Sequence, residues 1–354
     1  MQAIVDQLAA TVREAAAQHV PLCIRGGGSK DFYGGPLRGE TLSVAAYRGI
    51  IDYEPSELVI TACAGTPLAE IETALRDKGQ MLAFEPPHFG PHSTLGGCIA
   101  AGLSGPRRAY AGSVRDTVLG VRMLDGKGDD LRFGGQVMKN VAGFDVSRVL
   151  AGSLGTLGVL LEISLKVLPL PTAEASLRFE HTAADAIAAM NAWAGKPLPL
   201  SATAWHDGRL HVRLSGAAAA VSAAIVTLGG ERLDDAFAQR YWQDIREQSA
   251  AFFTSAQTLW RLSLKPTTPP LNLPGAQLIE WNGALRWLAT DATAAAVRAA
   301  AESGGGHATL FRGGDKSAGV FHPLPPALAA IERKLKLTFD PAGIFNPGRM
   351  YAEF

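Results

Sequence analysis

Cysteine is scarce in this chain: 354 residues contain three, Cys23, Cys63 and Cys98, none in a C-x-x-C spacing. Three thiols cannot make an even disulfide framework, and they fall short of the four thiolates of an iron-sulfur cluster. A reducing cytoplasm fits, and if the protein moves electrons an organic cofactor must hold them. An excess of either charge is also missing, since Lys plus Arg and Asp plus Glu both number 33, a formal net charge of +0. Neither a basic nucleic-acid footprint nor an acidic tail is present. No window approaches the roughly 20 uninterrupted apolar residues of a membrane helix. The start, Met1-Gln2-Ala3-Ile4-Val5-Asp6, lacks the cationic and apolar regions of a signal peptide. The expectation is a soluble cytoplasmic protein, with any inner-membrane association peripheral and through partners.

What is abundant is apolar surface and glycine: 47% of residues are hydrophobic and 39 are glycine. The length exceeds one ordinary core, so two domains are expected. Arg25-Gly26-Gly27-Gly28-Ser29-Lys30 follows directly on the apolar run Val20 to Ile24. Three glycines in succession cost backbone entropy, and their successive N-H groups can converge on phosphate oxygens with Arg25 and Lys30 supplying charge. The same cluster also suits an ordinary surface turn. Further glycine-rich segments lie at residues 94 to 102, 112 to 116 and 152 to 158.

Ile4, Val5, Leu8, Val12 and Ala15 recur at helical spacing over residues 3 to 18, ahead of Pro21. A helix from Pro67 to Lys78 is expected, with Thr66 as N-cap, Pro67 at the first position and Gly79 as its stop. Leu95 to Gly102 is a helix almost without side-chain bulk, and Asp125-Gly126-Lys127-Gly128 marks a hairpin between strands 118 to 124 and 130 to 133. Val159 to Val167 reads as a buried strand ending at Pro169-Leu170-Pro171, the best domain boundary. Beyond it strands alternate with helices at 183 to 193, 217 to 226, around Tyr241 and at 292 to 301, the last with Asp291 as N-cap. The mixture resembles a split β-α-β domain. The organisation expected is residues 1–171, a cap at 172–323, and a returning segment at 324–354.

RGGGSK at 25 to 30, STLGGCIAAG at 93 to 102, AGSVRDTVLG at 111 to 120, the glycine-rich stretch 134 to 169 and FNPGRM at 345 to 350 occur in fixed order. Together they resemble the FAD-binding domain of the vanillyl-alcohol oxidase and p-cresol methylhydroxylase family, and within it the E-type subunits of bacterial glycolate oxidases. The resemblance implies an α+β fold, a two-lobed FAD domain of the p-cresol methylhydroxylase type with a smaller ferredoxin-like cap, binding FAD non-covalently. A Rossmann fold is not implied, and the first loop indeed lacks a G-x-G-x-x-G spacing. Carried over by position, Arg25, Gly26, Gly27, Gly28, Ser29 and Lys30 would meet the pyrophosphate. Thr94, Gly96, Gly97 and Ala100 would line the cofactor; Gly112, Ser113 and Asp116 would add backbone and hydroxyl contacts; Gly158 and Val159 would face the adenine edge. For Ser153, Gly155 and Gly158 a turn into a buried strand is an equal alternative, and for Asn140, Phe144 and Asp145 packing is the favoured reading. Asn346 would return to the flavin, favoured over Arg349, unless its segment is merely a Pro-Gly turn.

The family likeness also implies oxidation of glycolate to glyoxylate beside a D-like flavoprotein subunit and an F-like iron-sulfur subunit. Such chemistry needs a cation for the substrate carboxylate and a base for its hydroxyl proton. Arg312 is the candidate cation, with a solvated arginine at a strand end as the alternative. Asp207-Gly208-Arg209-Leu210-His211 partly matches a metal-binding segment of catalytic relatives, but arginine stands where asparagine is expected. His206 and His211 therefore read as hairpin-surface histidines rather than ligands. Cys98 reads as a small buried residue rather than a flavin tether. A stand-alone oxidase and a scaffold without cofactor remain as alternative functions.

Overall fold

The computed structural model of the chain describes residues 1–135 and 145–353, so Asn140 and Phe144 lie outside the described residues. The chain divides into two compact units, one of Met1–Leu103, Ser113–Leu170 and Pro323–Phe354, the other of Ser104–Gly112 and Pro171–His322. Ser104–Gly112, expected to run within the first domain, thus groups with the second unit.

In the first unit a helix over Gln2–Gln18 buries Val5, Leu8, Ala9, Val12 and Ala15. That is the stripe its three- and four-residue spacing demands. His19 stops it in the left-handed region, at φ 52°. Two parallel strands follow, β1 (Leu22–Arg25) and β2 (Glu40–Ser43). They share a core with the first helix and with Ile344 and Phe345 from the end of the chain. The second lobe is an antiparallel sheet built from β3 (Ile50–Glu54), β4 (Val59–Cys63), β6 (Val118–Leu124), β7 (Asp130–Gly134) and β8 (Val159–Lys166), with a small pair of β5 (Gln80–Met81) and β9 (Leu168–Pro169) beside it. The order is β3-β4-β8-β6-β7. Strand β8 is central, and six of its eight residues are buried.

Two helices pack on this sheet, Leu68–Arg76 and Leu95–Ala101. The first starts one residue later than expected, with Pro67 at the N-cap position, and ends at Arg76 rather than Lys78. Thr66 does not cap it; its fully buried hydroxyl is engaged by the N-H and carbonyl of Gly49, at 2.9 and 3.1 Å. A closing helix, Pro326–Phe339, is fastened by Lys336, whose ammonium donates to Asp340 at 2.6 Å and to the carbonyls of Thr156 and Phe345 at 2.8 and 2.9 Å.

The second unit holds one antiparallel sheet of β10 (Ala173–Glu180), β11 (Leu200–His206), β12 (Arg209–Gly216), β13 (Glu231–Arg232), β14 (Thr258–Ser263), β15 (Ala276–Glu280), β16 (Leu285–Ala289) and β17 (His307–Gly313), in the order β13-β10-β12-β11-β15-β16-β14-β17. The order is symmetric about the β11/β15 seam. Each half is a ferredoxin-like set of four strands, the first carrying helices Ala183–Ala194 and Ala218–Leu228, the second only Ala294–Ser303. Where the second half lacks a helix, residues 264 to 275 include Pro266, Pro269, Pro270 and Pro274, which forbid one. Fully buried Arg286 anchors that loop instead, donating at 2.7 Å to the carbonyls of Thr268 and Gly283.

The helix at Ala294 is capped by Thr293, which accepts from the Ala296 N-H at 3.3 Å, not by Asp291. The sheet face opposite those three helices is covered by a further helix, Asp235–Glu247, whose Trp242 packs on Ala202 and Ala204.

Candidate functional site

β1 delivers the chain into the glycine loop, and the loop lies against the start of the 93-to-102 motif. A Cβ on Gly27 would stand 1.4 Å from the His92 carbonyl oxygen, and one on Gly26 2.3 Å from Thr94 Oγ1. These two glycines are required by close approach of protein to protein. Gly28 turns the chain at φ 73°, and its carbonyl accepts from Asp31 N at 3.1 Å. Among the described residues, no protein acceptor takes the N-H groups of Gly26, Gly27, Gly28 or Ser29. Four successive donors are left for an external acceptor, the arrangement that binds anions.

The loop forms one wall of an open cleft of about 520 Å³. Arg25, Gly26, Gly27, Gly28, Ser29 and Lys30 line it, with Thr94, Gly97, Ala100 and Asn346. A second cleft of about 370 Å³ shares Gly26, Gly97, Ala100 and Asn346 and adds Gly96 and Gly158. Gly97 serves the cavity itself: a Cβ there would meet only Thr94 Oγ1, at 3.2 Å. Thr94 is the N-cap of Leu95–Ala101, accepting from Gly97 N at 3.3 Å, so the small-residue helix presents its N-terminal turn here.

The loop's cations are engaged differently. Lys30 Nζ donates to Ser93 Oγ at 2.8 Å and to the His88 carbonyl at 3.3 Å, and lies 5.7 Å from the Phe89 ring centroid. Arg25 forms an ion pair with Asp31, another cleft residue and one the sequence reading passed over. Arg349 also lines the cleft, but its guanidinium is buried and donates to the carbonyls of Tyr33, Gly35 and Asp31. Burial holds its pKa below the usual arginine range, opposed by the charge of Asp31. Asn346, at φ 42°, joins three segments: its Oδ1 accepts from Ile24 N at 2.8 Å and its Nδ2 donates to the Leu154 carbonyl at 2.6 Å. Leu154 lines both clefts and was not singled out from sequence, because a lone leucine carries no signal.

Gly112, Ser113, Asp116 and Val159 line neither cleft. Ser113 and Asp116 form a capping box, with Ser113 N and Oγ donating to Asp116 at 2.9 and 2.7 Å. Burial works to raise the Asp116 pKa, but these bonds and the charges of Arg115 and Arg148 outweigh it and leave it lowered. Gly112, at φ 86°, ends the helix Arg108–Ala111 in the second unit. Val159 is fully buried opposite Leu124 in the β6/β8 ladder. Gly158 has its absent side chain against Met123 Cε, 2.1 Å from where a Cβ would stand.

Arg312 belongs to the second unit, in β17. It is partly buried rather than solvated: its guanidinium donates to Gln248 Oε1 at 2.7 Å, and burial lowers its pKa. His211 is likewise buried, not on a hairpin surface, and stacks on Tyr241 with centroids 4.1 Å apart. His206 packs edge-on against Phe252 at 5.1 Å. Cys98 is buried, and burial pushes its thiol up to about 12, so it is held protonated and unreactive.

The donors, the two clefts and the small residues between them suit a long diphosphate-containing ligand such as FAD. Comparison with known proteins agrees. Residues 3–134 match the family model described as FAD binding domain. The chain is 50% identical over 352 residues to glycolate oxidase subunit GlcE of Escherichia coli (strain K12), covering 99% of this chain and 97% of that one. It is 30% identical over 186 residues to glycolate oxidase subunit GlcD of Bacillus subtilis (strain 168), covering 52% of this chain and 39% of that one. Among solved structures, alkyldihydroxyacetonephosphate synthase superposes with a TM-score of 0.67 at 16% identity, covering 97% of this chain and 75% of that one.

Proposed function

The chain belongs to the family of glycolate oxidase subunit GlcE, FAD-binding oxidoreductases, and we propose that it is the flavin-holding E-type subunit of a complex that oxidises glycolate to glyoxylate. The observation that carries this reading is the run of four backbone donors at Gly26 to Ser29, left without acceptors among the described residues at the head of a cleft. They are suited to the diphosphate of FAD, while Gly97 and Ala100 leave room for the rest of the cofactor. Residues 1–171 with 324–354 form the FAD domain in this proposal and 172–323 its cap, except that Ser104–Gly112 groups with the cap. When bound, FAD supplies a two-electron acceptor for the hydride leaving the alcohol carbon. This chain's residues bind and orient it: Asn346 ties β1 to Leu154 at the cleft wall, and Lys30 fixes the loop to Ser93.

The partners in this proposal are a D-like flavoprotein and an F-like iron-sulfur subunit, which takes the electrons onward. Among the described residues no helix is long and apolar enough to cross a membrane, and any membrane association is assigned to those partners. A second reading, in which this flavin is accessory and glycolate is oxidised on the D-like subunit, is favoured by the engagement of His206 and His211 in ring contacts and of Arg312 with Gln248. Anaerobic mixing of glycolate with the isolated chain and with the assembled complex tests both. Bleaching of the isolated chain supports direct oxidation here, bleaching only in the complex supports the accessory reading, and a purified chain without flavin bands, even after FAD addition, refutes both.

A further inference from the structure

Arg25 is placed to serve an anion in the cleft, and Asp31 holds it. The Arg25 guanidinium lies along the bare face of Gly28, 2.6 Å from where a Cβ would stand, on the loop whose four N-H groups lack acceptors among the described residues. Its ion-pair partner Asp31 sits six residues further along the same loop and lines the same cleft. The pair is open to water, with side chains 46% and 30% exposed. Such pairs contribute little, because solvent screens them. Lys30 differs, since Ser93, the His88 carbonyl and the Phe89 ring hold it in place.

We propose that Asp31 is a displaceable counter-ion that occupies Arg25 until a diphosphate takes its place. The inference rests on the flavin reading above and assigns the loop's two cations separate tasks: Lys30 fixes the loop, and Arg25 exchanges one anion for another. A carboxylate and a phosphate oxygen present the same acceptor to a guanidinium, and the diphosphate brings more charge and more acceptors. No backbone change is required, because the Asp31 main chain stays fixed by its own N-H to Gly28 and its carbonyl to Arg349, at 3.1 and 3.3 Å. Asp31 then sets the affinity for the cofactor by competing with it, so that neutralising this carboxylate strengthens binding.

The test is equilibrium titration of the flavin-stripped protein with FAD, with ADP as competitor, and with riboflavin, which has no phosphate. Asp31→Asn is expected to tighten FAD and ADP about three- to five-fold, the scale of an exposed ion pair, and to leave riboflavin unchanged. Asp31→Ser repeats the comparison with a second neutral side chain. Arg25→Gln is expected to weaken FAD and ADP and to abolish the effect of Asp31→Asn in the double variant. Unchanged or weaker FAD binding in both neutral variants would overturn the proposal, as would equal tightening without Arg25. Failure of the wild-type protein to bind FAD at all would instead remove the flavin reading on which it rests.

Discussion

Acidification should destabilise the second unit through His211. Its ring is stacked on Tyr241, its Nδ1 is buried without a hydrogen-bond partner among the described residues, and Arg178 lies directly across the β10/β12 ladder. Burial first, then the charges of Arg178 and Arg209, push its pKa down from 6.5 to about 4. Between those values the unfolded chain binds a proton that the folded chain refuses, so stability falls as pH drops from 6.5 towards 4. The gap corresponds to about 3 kcal/mol, or about 6–12 °C in Tm for a unit of this size. Replacing His211 by Phe keeps a flat ring on Tyr241 and removes the titration. Thermal unfolding at pH 7 and pH 4, followed by near-ultraviolet circular dichroism, should show the acid-induced drop shrinking by that amount in the variant. An equal drop in both proteins would refute the reasoning.

Lys336→Met should cost about 3–5 kcal/mol in urea unfolding, because fully buried Asp340 is left without its cation; a loss under about 1 kcal/mol would contradict this. Gly27→Ala should abolish or severely weaken FAD retention on gel filtration, since its Cβ would overlap the His92 carbonyl oxygen, 1.4 Å away; a variant that keeps full flavin would show that the loop can shift without consequence. Cys98, its thiol pushed up to about 12, should resist iodoacetamide in the native protein at pH 8, and all flavin should leave the polypeptide on denaturation; yellow colour retained by the denatured chain would disprove a non-covalent site.

The periodic helix at the start of the chain and the buried strand β8 were legible because each carries one pattern over many residues. The alternation of strands and helices after Pro171 was legible too, but the duplication was not. Its second half replaces a helix with a proline-rich loop, and the symmetry exists only in strand order. Caps were misplaced for two reasons: Thr293 wins over the nearby Asp291, and the Thr66 hydroxyl is drawn away by the backbone of Gly49.

The glycine motifs identified the cleft but gave two different reasons for glycine the same appearance. Gly26, Gly27 and Gly158 yield space to neighbouring protein, whereas Gly97 opens towards the cavity. Asp31 was invisible because its meaning comes from the curl of the loop back towards Arg25.

The passage of Ser104–Gly112 into the second unit makes the chain cross between units at Leu103–Ser104, Gly112–Ser113, Leu170–Pro171 and His322–Pro323. A protease cut at Pro171 therefore leaves two fragments that each contain parts of both units. The N-terminal fragment also loses Ile344 and Phe345 from its core and the Lys336 tie to Thr156. Neither unit is a contiguous stretch that can be inherited, excised or exchanged by a single join, and a gene fusion that replaced the cap alone would need to splice in the nine-residue excursion as well.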